Sequence, residues 1–114
     1  MQPRSPKLLE DIRDAAAFIR EATRGSEAEK FRNNRLLRQA VERNFEIIGE
    51  AVRRIDREDP ETASRIANHR HIIAFRNVLS HGYDIVDPAV VWSAVQDDLA
   101  PLLKDVETLL ATVR

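Results

Sequence analysis

Leu37-Arg38-Gln39-Ala40-Val41-Glu42-Arg43-Asn44-Phe45-Glu46-Ile47-Ile48-Gly49-Glu50-Ala51-Val52-Arg53-Arg54-Ile55 is the stretch whose pattern decides the fold class. Leu37, Val41, Ile48, Val52 and Ile55 fall on one side of a 3.6-residue helix, with Ala40, Phe45 and Ala51 widening the stripe. Charged residues fill the opposite face. Two residues interrupt the stripe. Asn44 stands where a hydrophobe is expected, so its amide must find a partner; an inter-helix hydrogen bond fixing register is favoured over a place in a polar cleft. Gly49 costs about 1 kcal/mol relative to alanine inside a helix, which suggests a close helix crossing. Upstream, Ser26 and Glu29 match a capping box, so the helix is expected to open there and run on without a break.

The same periodicity extends outward in both directions. Ser5-Pro6 reads as an N-cap and first turn, followed by Leu8, Ile12, Ala15, Ile19 and Ala22 on one face and Gly25 as punctuation. Asp59-Pro60 starts a short helix to about Ala67. A third main helix covers His69 to Ser80, with Ile72, Phe75, Val78 and Leu79 toward a core and Gly82 as its terminator. Asp87-Pro88 caps the last helix, whose stripe is Trp92, Val95, Leu99, Leu102, Val106, Leu109 and Val113. Pro101 should kink it near Asp97. Trp92 and this stripe suit a core or a dimer interface better than an RNA-stacking platform. No segment has strand character. The fold class expected is all-α: an antiparallel four-helix bundle with an extra short helix, residues 1–114 forming one domain.

Composition narrows the chemistry. Without cysteine there is no disulfide, thiolate metal site or cysteine nucleophile. The opening Met1-Gln2-Pro3-Arg4-Ser5 lacks the apolar core of a signal peptide and no apolar run approaches membrane-spanning length, so a soluble cytoplasmic protein with no membrane partner is expected. Charged residues make up 32% of the chain but nearly cancel, to a formal net charge of −1, which argues against a broad nucleic-acid-coating surface. A small RNA-cutting cleft needs only a few local cations. Lys7, Lys30 and Lys104 are the only lysines among 18 cationic side chains, and arginine's planar fork suits phosphate. A salt-bridged helical surface accounts for the bulk of the arginines equally well.

The histidines His69, His71 and His81 have no i, i+4 ligand pairing, and there is no glycine-rich phosphate loop or serine-centred nucleophile motif; no metal or cofactor is implied. One segment differs: Arg76-Asn77-Val78-Leu79-Ser80-His81-Gly82-Tyr83. On an ideal helix Arg76 lies about 40° from Ile72, at the edge of the apolar stripe, half-shielded where a guanidinium grips phosphate well. His81 sits at the helix's C-terminal end, where the dipole favours a protonated ring. Asn77, four residues earlier, can touch and orient that ring. Arginine and histidine together suit metal-free RNA cleavage: the 2′-hydroxyl attacks phosphorus, the cation stabilises the developing charge and the histidine moves a proton.

This octapeptide matches the R-x4-H-x-Y signature of the HepT-like toxins of the HEPN superfamily, which the chain resembles over much of its length. Ala40 through Ala51, Ile73-Ala74-Phe75, Val91-Trp92 and Asp98-Leu99-Ala100-Pro101-Leu102 also resemble that family. The resemblance implies a helical homodimer in which the motifs of two protomers meet in a composite ribonuclease cleft. It implies that Arg76 and His81 are catalytic, with Asn77 in support. It further implies an MNT-type nucleotidyltransferase antitoxin that transfers AMP from ATP to Tyr83, placing a phosphodiester anion beside Arg76. The alternative is a non-enzymatic helical dimerisation module that binds such a partner or a nucleotide without cutting RNA.

Overall fold

A computed structural model describes residues 1–81 and 86–113, and these form seven helices without a strand. They are α1 (Ser5–Ala22), α2 (Ala28–Arg32), α3 (Arg35–Glu58), α4 (Pro60–Ser64), α5 (His69–Ser80), α6 (Pro88–Asp97) and α7 (Leu99–Ala111). The all-α class expected from periodicity is what forms.

Helix α3 runs antiparallel to both α1 and α5. Arg4 Nε lies 3.4 Å from the Glu58 carboxylate, which sets the start of α1 beside the end of α3. Between α3 and α5 the order also reverses: His69 reaches Asp56 at 3.8 Å, whereas Arg76, farther along α5, crosses α3 at Gly49. The core lies between these helices and α7. It is built from the predicted stripes, with Ile12 and Ile19 of α1, Val41, Ile48, Val52 and Ile55 of α3, and Leu102 and Val106 of α7 all fully buried, and Leu9, outside the predicted α1 stripe, joins them at 0% exposure.

Several local expectations are corrected. The second helix does not run unbroken from Ser26. Ser26 makes no cap bond to Glu29; α2 ends after one turn or so at Arg32, and Asn34 caps a new helix by accepting from Leu37 N at 3.0 Å. Adjacent Asn33 and Asn34 favour a cap over helix interior, because a short amide competes for the backbone's own hydrogen bonds. Ser5 is the first helical residue rather than the cap, and its buried hydroxyl donates to Asp59 Oδ2 at 2.8 Å. The short fourth helix stops at Ser64 rather than near Ala67. Asn44 donates to the Ala40 carbonyl of its own helix at 2.8 Å, so it is satisfied without an inter-helix bond and stays half-buried.

Val78 was expected in the core, yet it is 55% exposed. Ile72, Phe75 and Leu79 form a narrow buried stripe, and Val78 lies roughly 90° from its centre. Val113 is also exposed because it follows the end of α7. The last helix breaks into α6 and α7 at Asp98, beside the kink expected near Asp97: Pro101 has no N–H to give the Asp97 carbonyl. Trp92 is half-buried and packs within the chain on Phe31, with ring centroids 5.2 Å apart.

Candidate active site

The α3–α5 crossing is where the site is built. Gly49 is buried in α3, and a Cβ on it would lie 2.6 Å from Arg76 Cγ and 3.3 Å from the Ile72 carbonyl. Only glycine lets α5 come this close, so the interruption noticed in the stripe is the groove that accepts the arginine's stem. Gly49→Ala is therefore expected to lower stability by about 1–2 kcal/mol: overpacking as tight as this falls in the upper part of its range, about 2–3 kcal/mol, and the gain in helix propensity returns only about 1. Urea unfolding measures this. An alanine variant as stable as the parent would show that α5 yields freely.

Arg76 is then held at the edge of the core, its side chain 28% exposed. The helical-wheel expectation of a half-shielded guanidinium agrees with this. Its Nη2 lies 3.4 Å from Glu50 Oε2, its Nη1 donates to Asn77 Oδ1 at 3.4 Å, and its buried Nε has no partner among the described residues. A cleft of about 250 Å³ opens here, walled by Leu8, Ile47 and Ala51 and carrying Arg43, Arg54 and Arg76.

Glu50 is the residue that sequence reasoning missed. Its carboxylate takes Arg53 as a fork, at 3.2 and 3.3 Å, and Arg54 Nε at 3.1 Å, besides Arg76. The hydrogen bond from Arg53, aided by Arg54, outweighs partial burial and holds this carboxyl below its ordinary value. Elsewhere the arginines pair locally, as with Arg24–Glu21 and Arg65–Glu61, so a salt-bridged surface does account for many of them.

His81 caps α5, exposed, with its backbone N–H donating to the Asn77 carbonyl at 3.2 Å. Asn77 is thus tied to His81 through the backbone, and its side chain turns to Arg76. Among the described residues no hydrogen bond joins the Arg76 and His81 side chains. Tyr83 and Gly82 lie outside the described residues. The other two histidines are engaged apart from this site: His69 Nδ1 meets the Ile66 carbonyl at 2.9 Å and His71 Nε2 meets Asp98 at 2.9 Å. No helix is long and apolar enough to cross a membrane among the described residues.

The family model described as "Ribonuclease HepT-like" matches residues 12–109, which contain the whole α3–α5 crossing and the Arg76–Tyr83 motif. The chain belongs to the HepT-like ribonuclease family. Among its relatives, "Putative RNase MJ1380" of Methanocaldococcus jannaschii is 34% identical over 99 residues, 87% of this chain and 90% of the relative. "Probable ribonuclease HepT" of Thermococcus cleftensis is 36% identical over 101 residues, 89% and 91% of the two chains. "Putative RNase TTE0752" of Caldanaerobacter subterraneus is 31% identical over 102 residues, 90% of each. No solved structure matches this HepT-like chain.

Proposed function

We propose that this HepT-like protein is the toxin of a toxin–antitoxin pair, a metal-independent endoribonuclease that uses Arg76 and His81. One observation carries the proposal: a guanidinium half-shielded at the mouth of a cleft, in a chain whose relatives bear ribonuclease names, with an exposed histidine five residues on. RNA phosphate approaches Arg76. The 2′-oxygen attacks phosphorus, the bond to the 5′-oxygen breaks, and His81 carries the proton from the attacking oxygen toward the leaving one. Arg76 meets the charge that builds on the phosphoryl oxygens. Asn77, hydrogen-bonded to Arg76, supports its orientation.

A dimer completes the cleft. Residues five apart on an ideal helix are separated by roughly 140° of rotation and 7.5 Å of rise, so one α5 presents Arg76 and His81 on different sides. Two copies of the motif facing each other bring an arginine of one protomer toward a histidine of the other. The purified protein is expected to run as a dimer and to cleave RNA in EDTA while leaving DNA intact. An active obligate monomer would refute the composite cleft, and cleavage of DNA would refute the 2′-hydroxyl mechanism.

The partner in this proposal is an MNT-type nucleotidyltransferase that transfers AMP from ATP to Tyr83. The phenol oxygen attacks the α-phosphorus, pyrophosphate leaves and the phenolic proton is lost. The new phosphodiester anion competes with RNA for Arg76. With partner and ATP present, mass spectrometry should show an AMP adduct on the parent and none on Tyr83→Phe; an adduct retained by the variant rules out Tyr83 as acceptor.

A further inference from the structure

Arg76 must satisfy two opposed demands if it is to hold phosphate. It needs a partner that fixes its geometry, yet a carboxylate close enough to do so also neutralises it. Glu50 is the one acidic side chain paired with Arg76 among the described residues, at 3.4 Å. The same carboxylate is closer to Arg53, at 3.2 Å, and to Arg54, at 3.1 Å. One anion is therefore shared among three cations. The other carboxylates lining the cleft have their own counter-ions: Glu46 stands 3.9 Å from Arg43, and Asp11 2.7 Å from Lys7. Because Arg53 and Arg54 draw off the carboxylate's charge, the Glu50 cluster keeps a positive excess that faces an incoming anion.

The Arg76 stem is fixed independently by Gly49, the residue immediately before Glu50. Stem and head of the arginine are thus both set by one turn of α3. The buried Nε has no partner among the described residues, so it contributes no orientation of its own. The head depends on Glu50 and on the 3.4 Å bond to Asn77.

We propose that Glu50 is a positioning residue for Arg76, holding its guanidinium at the mouth of the cleft, and that Arg53 and Arg54 keep that hold from neutralising it. This rests on the ribonuclease assignment of Arg76 given above. Glu50 touches no reacting atom in this scheme; it acts through Arg76.

Three measurements on the full-length protein test it. First, Glu50→Gln keeps the side chain's volume and removes its charge. NMR of the Arg76 Nε–Hε group should show an ordered signal in the parent and a disordered one in the variant. Second, steady-state RNA cleavage should show kcat lowered on the order of ten-fold in Glu50→Gln with KM nearly unchanged, since misplacing a positioned group costs rate rather than encounter. Glu50→Asp keeps the charge but retracts it by one methylene, and should recover part of that loss. Third, Arg53→Gln with Arg54→Gln leaves Arg76 as the carboxylate's one strong partner. That pair should lower kcat in the parent background and have no further effect in Glu50→Gln, a non-additivity specific to a shared anion.

An Arg76 signal equally ordered in Glu50→Gln overturns the proposal whether or not RNA is cut. So does a parental kcat in Glu50→Gln, or simple additivity of the arginine changes. If the parent itself leaves RNA intact, the ribonuclease assignment falls, and the NMR comparison alone still decides whether Glu50 positions Arg76.

Discussion

Arg76→Ala is expected to reduce RNA cleavage by about two to three orders of magnitude while leaving the helical content unchanged. The size follows from what is removed: a cation placed where charge develops is worth about 2.7–4 kcal/mol in the transition state. The stem of Arg76 is packed against Gly49, so some loss of stability accompanies the change. Arg76→Lys separates the two effects. Lysine keeps the aliphatic stem and the charge but loses the planar fork, and it should remain well folded and nearly as inactive as alanine. His81→Ala should be comparably inactive by a different route, through loss of proton transfer, typically worth 10²–10⁴-fold. His81 is exposed at the end of α5, so its loss should hardly move the unfolding midpoint. Full activity in either variant would remove that residue from the mechanism.

The second large effect concerns stability. Asp59 is 7% exposed and joins the start of α1 to the α3–α4 corner. Its Oδ2 accepts from the Thr62 hydroxyl at 2.7 Å, the Ser5 hydroxyl at 2.8 Å and Gln2 N–H at 2.9 Å, and Oδ1 accepts from Thr62 N–H. The Thr62 hydroxyl above all, then Gln2 N–H and the Ser5 hydroxyl, hold this carboxyl far below the usual range against the opposing effect of burial. Asp59→Ala strands those donors and is expected to cost about 2–4 kcal/mol at pH 7, a fall in Tm on the order of 10 °C.

The sign of the pH effect follows from the depressed folded-state value. The unfolded carboxyl, near its ordinary value of about 3.9, takes up a proton first as the solution is acidified. Asp59's contribution is therefore complete above about pH 5, falls below about pH 4, and vanishes as its folded-state value is crossed. Chemical unfolding of parent and Asp59→Asn at pH 7 and at pH 3 should show their difference shrinking in acid. A constant difference would mean that Asp59 stabilises by packing rather than by its charge.

What could be read from the chain, and what could not, divides along one physical line. Helix α5 was expected to cover His69–Ser80 and does so, because its apolar periodicity is a local signal. The α6–α7 break followed from the missing N–H of Pro101, again a local cause. Local signals also competed. Ser26 and Glu29 had the pattern of a cap, but the Asn33-Asn34 pair downstream restarted the helix at its own side-chain acceptor. Ser5 had the form of an N-cap, yet its hydroxyl serves Asp59, which folding brings to it from the far end of α3.

The site divides in the same way. Arg76 was visible because its offset from Ile72 set its exposure, and Gly49 was visible as a gap in a stripe. Glu50 was not. A glutamate beside two arginines on a charged helix face has the pattern of a solvated ion pair, and only the α3–α5 crossing adds Arg76 as its third partner. Asn44 misled for the opposite reason: an amide at a stripe position suggested an inter-helix bond, whereas the carbonyl one turn back was sufficient.

The chemistry of the cut ends tests the central claim most directly. RNA incubated with the purified protein in EDTA should yield fragments ending in a 2′,3′-cyclic phosphate and beginning with a 5′-hydroxyl, and a single 2′-deoxy substitution at the cleaved nucleotide should abolish the cut there. Fragments carrying a 5′-phosphate and a 3′-hydroxyl, or undiminished cleavage at the deoxy position, would contradict it.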